Sequence, residues 1–376
     1  MQFVAKEANV VIAVPGSRAI RSGPPDHLKT PKMVETPAGW SSLVQLMSFL
    51  GVFAGARIAD WDVFANLLKD ILLSSQPGVT RMRNDSPLLL ALPSHWPRGD
   101  LERLVQICFE FLNVPGLYIA QAPLMAVYAA NATSGLVVDL GHSSLDITPV
   151  LDSRVQCPIS FSMPDIDSYL LSLLKEDTIL CKELNEAGIP LNLDFARAVK
   201  ESDACCTFKS ADLVRARTGA GESRADFFFN NRKVCRSALN TCAQFSVGSA
   251  RYRCLEPLFD PTILKGSDIN ASKISLAEAM YIAVSNGTDP SNRASLWEGV
   301  LLTGGYAKIK GIEGRLETEV APYISASETS HEFQAKDIAF LRIPEFFTEY
   351  KNSPLETAFL GSCMVAKKLF DKNRLQ

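Results

Sequence analysis

Short apolar runs alternate with segments of helical period along most of the chain. Asn9-Val10-Val11-Ile12-Ala13-Val14 is an apolar run that gives way to Pro15-Gly16-Ser17-Arg18, which predicts a buried strand entering a turn. Residues 22–41 carry Gly23, Pro24, Pro25, Pro31, Pro37 and Gly39 and predict irregular chain. Asp62 can cap a helix whose apolar positions Phe64, Leu67, Leu68, Ile71 and Leu72 fall at helical spacing. Residues 87–92, Pro-Leu-Leu-Leu-Ala-Leu, read as a buried strand, and a helix follows with Leu101, Leu104, Val105, Cys108, Phe111 and Leu112 on one face. A strand at 117–120, a helix near 122–130 and a strand at 136–140 come next. The last opens a hairpin-like pair from Asp139 to Val150 that turns at Gly141-His142-Ser143-Ser144. A long helix begins at Pro164 and runs through Tyr169, Leu170, Leu173 and Leu174, and residues 185–270 alternate helical and loop character. Gly299-Val-Leu-Leu-Thr-Gly-Gly305 is a further strand ending in paired glycines, with helices near 311–322 and 355–370. Two successive blocks of alternating strands and helices predict an α/β fold of two lobes.

Composition narrows the function classes. With 376 residues, 47% of them hydrophobic and 21% charged, the chain can bury a full core. Its 38 Lys and Arg stand against 41 Asp and Glu, so there is no basic excess of the kind phosphate neutralisation needs, and direct nucleic-acid binding is not expected. The nine cysteines are odd in number and form no CxxC pair, against both a disulfide framework and a zinc site, and a reducing compartment fits best. His27, His95, His142 and His331 make no i, i+4 pair, so no metal site is expected. Leu43 to Ala56 is apolar but interrupted by Gln45, Ser48, Gly51 and Gly55, short of the roughly 18 residues of a membrane span.

Three small-residue turns are candidates to cradle phosphate, because backbone N–H groups can approach an anion where a side chain would block it. They are Gly16-Ser17 after the first strand, Gly141-His142-Ser143 after Asp139, and Gly304-Gly305 after Thr303. Taken singly, each is explained by an ordinary turn; no GxxxxGK[ST] occurs.

Their order and surroundings are more specific. Leu136-Val-Val-Asp-Leu-Gly-His-Ser-Ser144 and Leu301-Leu-Thr-Gly-Gly-Tyr306 resemble the phosphate and nucleoside segments of the actin-fold ATPases. Ala59-Asp-Trp-Asp62, Ser86-Pro-Leu-Leu-Leu-Ala-Leu-Pro93, Phe109 through Ala120, and Ala250-Arg-Tyr-Arg-Cys-Leu-Glu-Pro-Leu-Phe-Asp-Pro261 narrow the resemblance to actin-related proteins, from about residue 8 to 370. It implies an actin-like α/β fold of the actin and Hsp70 superfamily with a degenerate nucleotide cleft. The small lobe would be 1–129 plus 340–376, with a reduced outer subdomain at about 23–60. The large lobe would be 130–339, with an outer subdomain at about 164–262. It also implies Lys200 and Glu201 as nucleoside contacts beside Gly304 and Gly305; a helix face is the plainer reading of that pair.

The departures are informative. Ile12 stands where the family places an aspartate for metal-bound water, and the phosphate-reaching lysine is lost in Ser17–Arg21. His142-Ser143 replaces an Asp-Gly, Ala122 takes the place of the water-orienting glutamine although Gln121 precedes it, and the catalytic histidine aligns near Asp146. Hydrolysis needs metal, charge stabilisation and a positioned water together. The resemblance therefore implies no catalytic residues and no required cofactor, with ATP bound at most without turnover. The loop between Gly23 and Trp61 is short, so filament formation is not expected.

The tail, Arg342-Ile-Pro-Glu-Phe-Phe-Thr-Glu-Tyr-Lys351 and Phe359 to Phe370, resembles that of the actin-related protein 9 class, subunits of the fungal SWI/SNF and RSC chromatin remodelers. That resemblance implies a nuclear, noncatalytic subunit paired with a second actin-related protein on the helical segment before a Snf2-type ATPase domain, with no membrane partner. A partner groove would be lined by Tyr128, Leu151, Met364 and Val365. The competing readings are a dynactin pointed-end actin-related protein and a divergent nucleotide-dependent enzyme of the same fold.

Overall fold

In the computed structural model, which describes residues 10–26, 28–35, 58, 60–75, 84–207, 224–229, 243–264, 274–286, 288–325 and 337–369, the early apolar runs become one sheet. β1 (Val11–Val14) turns back into β2 (Ala19–Gly23), which pairs with β3 (Lys32–Glu35). On the other side of β1 lie β4 (Leu88–Leu92) and β5 (Leu117–Gln121), both parallel to it, giving the order β3-β2-β1-β4-β5. β4 is buried at all five positions, as a strand covered on both faces must be. Alternation divides the side chains. Val11, Leu88, Leu90 and Leu92 meet Phe64, Leu68 and Ile71 of helix Trp61–Ser75 and Leu104 and Cys108 beyond it. Ile12, Leu89 and Ala91 meet Met125, Ala129, Phe359, Leu360 and Cys363 on the opposite face.

The second sheet is built from the hairpin and the late strand. β6 (Gly135–Leu140) and β7 (Ser144–Leu151) are antiparallel and turn where the sequence predicts. β8 (Arg154–Val155) and β9 (Ile159–Ser162) pair with β7. β12 (Val300–Thr303) runs parallel to β6. Helix Ala122–Ala129 serves both sheets: Met125 and Ala129 belong to the first sheet's core, and Ala126 and Val127 pack with Val137, Val150 and Leu301.

These elements fall in one unit, residues 1–162, 279–308 and 327–376; residues 163–278 with 309–326 form another. The second unit carries helices Ile166–Glu176, Thr178–Ala187, Leu193–Glu201 and Ile312–Ser325, and the hairpin of β10 (Ala225–Phe229) and β11 (Ala243–Val247). Phe195 sits among Phe227, Phe229 and Phe245, with ring centroids 5.0–5.8 Å away. Two buried charges, Glu256 and Arg315, pair at 3.2 Å, and the guanidinium also lies over the Phe259 ring at 4.7 Å. The lobe boundaries implied by the resemblance are a different division and stay expectations.

Four sequence expectations change. Asp60 rather than Asp62 caps helix Trp61–Ser75, its Oδ1 accepting from Asp62 N and Val63 N at 3.0 Å. β3 forms inside the stretch read as irregular, because Lys32–Glu35 holds no proline and can pair with β2. The helix expected to bury Phe111 loosens into a π turn at Ile107–Phe111, where Leu112 N donates to Ile107 O. The wider turn rotates the residues at its end, so Leu112 reaches the core while Phe111 faces outward; Val105, in the regular helix before it, is also exposed. The long helix starts at Ile166, two residues past Pro164, because the Asp165 carboxylate caps it by accepting from Ser168 N at 3.0 Å. Leu43–Ala56, much of the expected 23–60 subdomain and Phe370 lie outside the described residues. No helix among the described residues is long and apolar enough to cross a membrane.

Helix Thr357–Leu369 approaches helix Ala122–Ala129 so closely that a Cβ on Gly361 would lie 1.8 Å from Met125 O. Gly361→Ala gains about 1 kcal/mol of helix propensity but must force the two helices apart. The expected outcome is a net loss of roughly 2 kcal/mol, within the range that overpacking costs, read as a lower urea midpoint at unchanged slope. A midpoint that rises would mean that the helices part freely.

Candidate functional site

The carboxyl ends of β6 and β12 meet through glycine. Gly304 follows β12 at φ +90°, and a Cβ there would stand 2.4 Å from both Asp139 Oδ1 and Leu140 O. Only glycine combines that backbone with that approach. Gly305 faces open space. The other two turns are closed on themselves: Gly16 N donates to Ala19 O at 3.1 Å, and Gly141 N to Ser144 O at 3.0 Å. Ser17 and His142 are each engaged with neighbours, while Ser143 Oγ is buried with no hydrogen-bond partner among the described residues.

Between these turns lies a group of charges. Asp139 on β6 stands opposite Asp146 on β7 in the strand register. Asp146 accepts from Ser144 Oγ at 2.9 Å and from Ser160 Oγ, and His95 Nδ1 lies 3.7 Å from it. Arg21 on β2 interacts electrostatically with Asp139 and with Glu356. Burial and the neighbouring Asp146 push the Asp139 carboxyl up to about 7, against the pull of Arg21. Arg21 Nε, His95 Nε2 and Glu356 Oε2 are buried without hydrogen-bond partners among the described residues.

Sequence reasoning singled out Gly16, Ser17, Asp139, Gly141, His142, Ser143, Gly304 and Gly305, all in the first unit, and the structure brings Asp139 and Gly304 into direct contact. It missed Arg21 and His95 as neighbours of that group and read Asp146 only as a lost histidine. A lone arginine in the apolar strand Ala-Ile-Arg-Ser-Gly was the available signal.

Lys200 and Glu201 close helix Leu193–Glu201 in the second unit. Lys200 is buried rather than part of a solvated face, and Glu201 is exposed. Lys200 Nζ is bonded to Asp167 Oδ1, whose other oxygen accepts from Arg197 Nε at 2.8 Å. The three charges tie this helix to Ile166–Glu176.

The groove residues belong to the first unit as well. Phe359, Leu360 and Cys363 of the tail helix are core, whereas Met364, Val365 and Tyr128 are half-covered at its margin. Leu151, also half-covered, ends β7.

The fold type implies a metal–nucleotide ligand, and the residues present fit it poorly. Ile12 is wholly buried among Phe359, Leu360 and Met125 and offers no oxygen. Ala122 opens its helix with a methyl group, and Gln121 is exposed. The Gly16 and Gly141 amides are used within their own turns. Among the described residues no group of three His, Cys, Asp or Glu is placed to hold a metal.

Lys200→Met tests the ion-pair role. Removing one partner of a buried charge pair costs about 3–5 kcal/mol, and because Arg197 still answers Asp167 the expected loss is smaller, roughly 1–3 kcal/mol. Urea denaturation of the full chain measures it. An unchanged midpoint would show that the bond to Asp167 contributes nothing.

Comparison with known proteins agrees with this architecture. The family model described as Actin matches residues 22–345. Actin-related protein 7 of Oryza sativa subsp. indica is 28% identical over 322 residues, covering 84% of this chain and 78% of its own length. Actin-related protein 7 of Arabidopsis thaliana is 25% identical over 320 residues, covering 84% of this chain and 77% of its own. The SWI/SNF and RSC complexes subunit arp9 of Schizosaccharomyces pombe is 26% identical over 392 residues, covering 84% of this chain and 73% of that subunit. The resemblance to actin-related proteins is thus matched by these relatives, and the α/β fold of sheets and glycine turns is actin-like. The chain belongs to the actin family.

Proposed function

We propose that this chain is a noncatalytic actin-related subunit of a SWI/SNF-family chromatin remodeling complex. One observation carries the reading: a named SWI/SNF and RSC subunit aligns with 84% of the chain. The position of Ile12 in the apolar core and the methyl group of Ala122 support the noncatalytic part, because water activation needs polar groups at those places. In the proposed role the chain pairs with a second actin-related protein on the helical segment that precedes a Snf2-type ATPase domain, in the nucleus. It stiffens that segment and so couples DNA translocation to the rest of the complex. It needs no cofactor, and any ATP it binds is not hydrolysed.

The decisive experiment is tandem purification of the tagged chain from its own cells followed by mass spectrometry. A Snf2-type ATPase and a second actin-related protein are expected in stoichiometric amounts; dynactin subunits in their place would overturn the reading. Separately, the purified chain should release phosphate from ATP no faster than buffer does. Turnover that Asp139→Ala abolishes would refute the noncatalytic assignment.

The half-covered margin of the tail helix gives a further expectation. An amphipathic partner helix sets its apolar stripe into a hydrophobic groove, and Met364 is apolar surface of that kind. Met364→Asp should weaken binding of the remodeler's helical segment by about 1–3 kcal/mol while circular dichroism stays that of the wild type. A folded variant with unchanged affinity would remove this helix from the interface.

A further inference from the structure

Among the described residues the first sheet ends in an open edge. β5 is the last strand of the order β3-β2-β1-β4-β5, and no described strand pairs with its outer side. The register fixes which groups lie there. Leu88 stands opposite Leu117, and Leu88 N donates to Gly116 O at 2.9 Å. In a parallel ladder a residue that bonds across does so to the two neighbours of the residue opposite it. Tyr118 and Ala120 therefore turn their main chain toward β4, and the N–H and C=O groups of Leu117 and Ile119 point away from the sheet.

Nothing in the strand blunts that edge. Exposed edges are ordinarily protected by charged side chains, by proline or by a bulge. Leu117-Tyr118-Ile119-Ala120-Gln121 has none of these, and its register with β4 is unbroken. No Asp, Glu, Lys or Arg stands between Phe111 and Asp139. Tyr118 is exposed, and Leu117 and Ile119 are half-buried against the sheet's core. A helix flank adds apolar surface beside them. Helix Arg98–Gln106 and its π turn join β4 to β5 and pack on the sheet through Leu104, Cys108 and Leu112. Arg103 lies over the Trp61 ring and Lys69 over the Phe111 ring, each at 5.0 Å, so that side faces helix Trp61–Ser75. The opposite side carries Val105 and Phe109, one turn apart and 37% and 46% exposed. It lies where the sheet ends, because a short crossover keeps its helix over the two strands it joins.

We propose that β5 is a docking edge for an extended segment of a partner protein, which adds a strand to this sheet. The main-chain groups of Leu117 and Ile119 hold the segment, and Val105 and Phe109 receive its alternate apolar side chains. The charge pattern states the partner's chemistry. An edge without an ionised group offers a charged segment nothing in return for the hydration it loses. The docked segment is therefore uncharged over its paired residues and apolar at every second one. The site is contained in the first unit and does not depend on the remodeler reading.

The test uses the purified full-length chain and an acetylated, amidated peptide of alternating Val and Thr. Binding should slow amide hydrogen exchange in the fragment that holds Leu117–Gln121 by about tenfold or more. Ile119→Pro removes an outward N–H and spares the bonds to β4, and an edge strand tolerates proline in that position. It should weaken binding by about tenfold or more. Phe109→Asp, at an exposed position, should do the same, and so should Asp in place of the central Thr of the peptide.

Exchange that the Val–Thr peptide leaves unchanged overturns the proposal, as does equal binding of the neutral and Asp-bearing peptides. A dimer in sedimentation that Ile119→Pro dissolves would give the edge to a second copy of the chain and also overturn it. Should Ile119→Pro fail to fold, Phe109→Asp decides alone: wild-type affinity in that variant removes the helix flank and the edge from any docking role.

Discussion

Helix Ala122–Ala129 has no polar face, and the arrangement of the first unit follows from that constraint. A helix apolar on every side seeks cover on more than one side. Its Met125 and Ala129 side is closed by the β1–β4 sheet and the tail helix, and its Ala126 and Val127 side by β6, β7 and β12. Small residues make the closure tight: the Gly361 backbone seats against Met125 O at a distance no side chain would permit. The carboxyl ends of β6 and β12 are brought together in the same unit, and the charges of Asp139 and Asp146 are held there.

The resemblance and the structure meet at that place. The glycine turns of the family are present, yet the Gly16 and Gly141 amides close their own turns, and the first strand offers an isoleucine in place of an oxygen ligand. The polar groups answer one another instead. Asp146 takes two hydroxyls, and Asp139 interacts electrostatically with Arg21. In the second unit the same theme recurs, with Lys200 and Arg197 on Asp167 and Arg315 on Glu256. Buried charges of this kind contribute little net stability over apolar residues but are costly to break. They favour one arrangement of helices over others, which suits a subunit whose proposed work is to hold a partner rather than to turn over a ligand.

Much of the fold was legible in the sequence because its signals are local. β4 announced itself as an unbroken apolar run, the β6–β7 hairpin as two runs around Gly141-His142-Ser143-Ser144, and the tail helix by its spacing of apolar residues. The ordered segments carried the family, which the Actin family model matches over residues 22–345. The exceptions were also local in cause. The π turn at Ile107–Phe111 adds a residue to one turn, and nothing in a 3.6-residue period signals that Phe111 will face outward.

The pairing of charges was decided elsewhere. Glu256 and Arg315 are far apart in the chain, as are Asp167 and Lys200, and their meeting depends on how the helices are stacked. A sequence specifies that Lys200 is a lysine on an amphipathic helix; it takes the packing of that helix on Ile166–Glu176 to bury the amine and give it Asp167. The sequence by itself therefore determined the elements, the turns and the family, all written in short-range patterns of apolar and small residues. Only the tertiary structure decided which charges are buried and what answers them, because burial and Coulomb energy depend on distances through space that chain spacing does not encode.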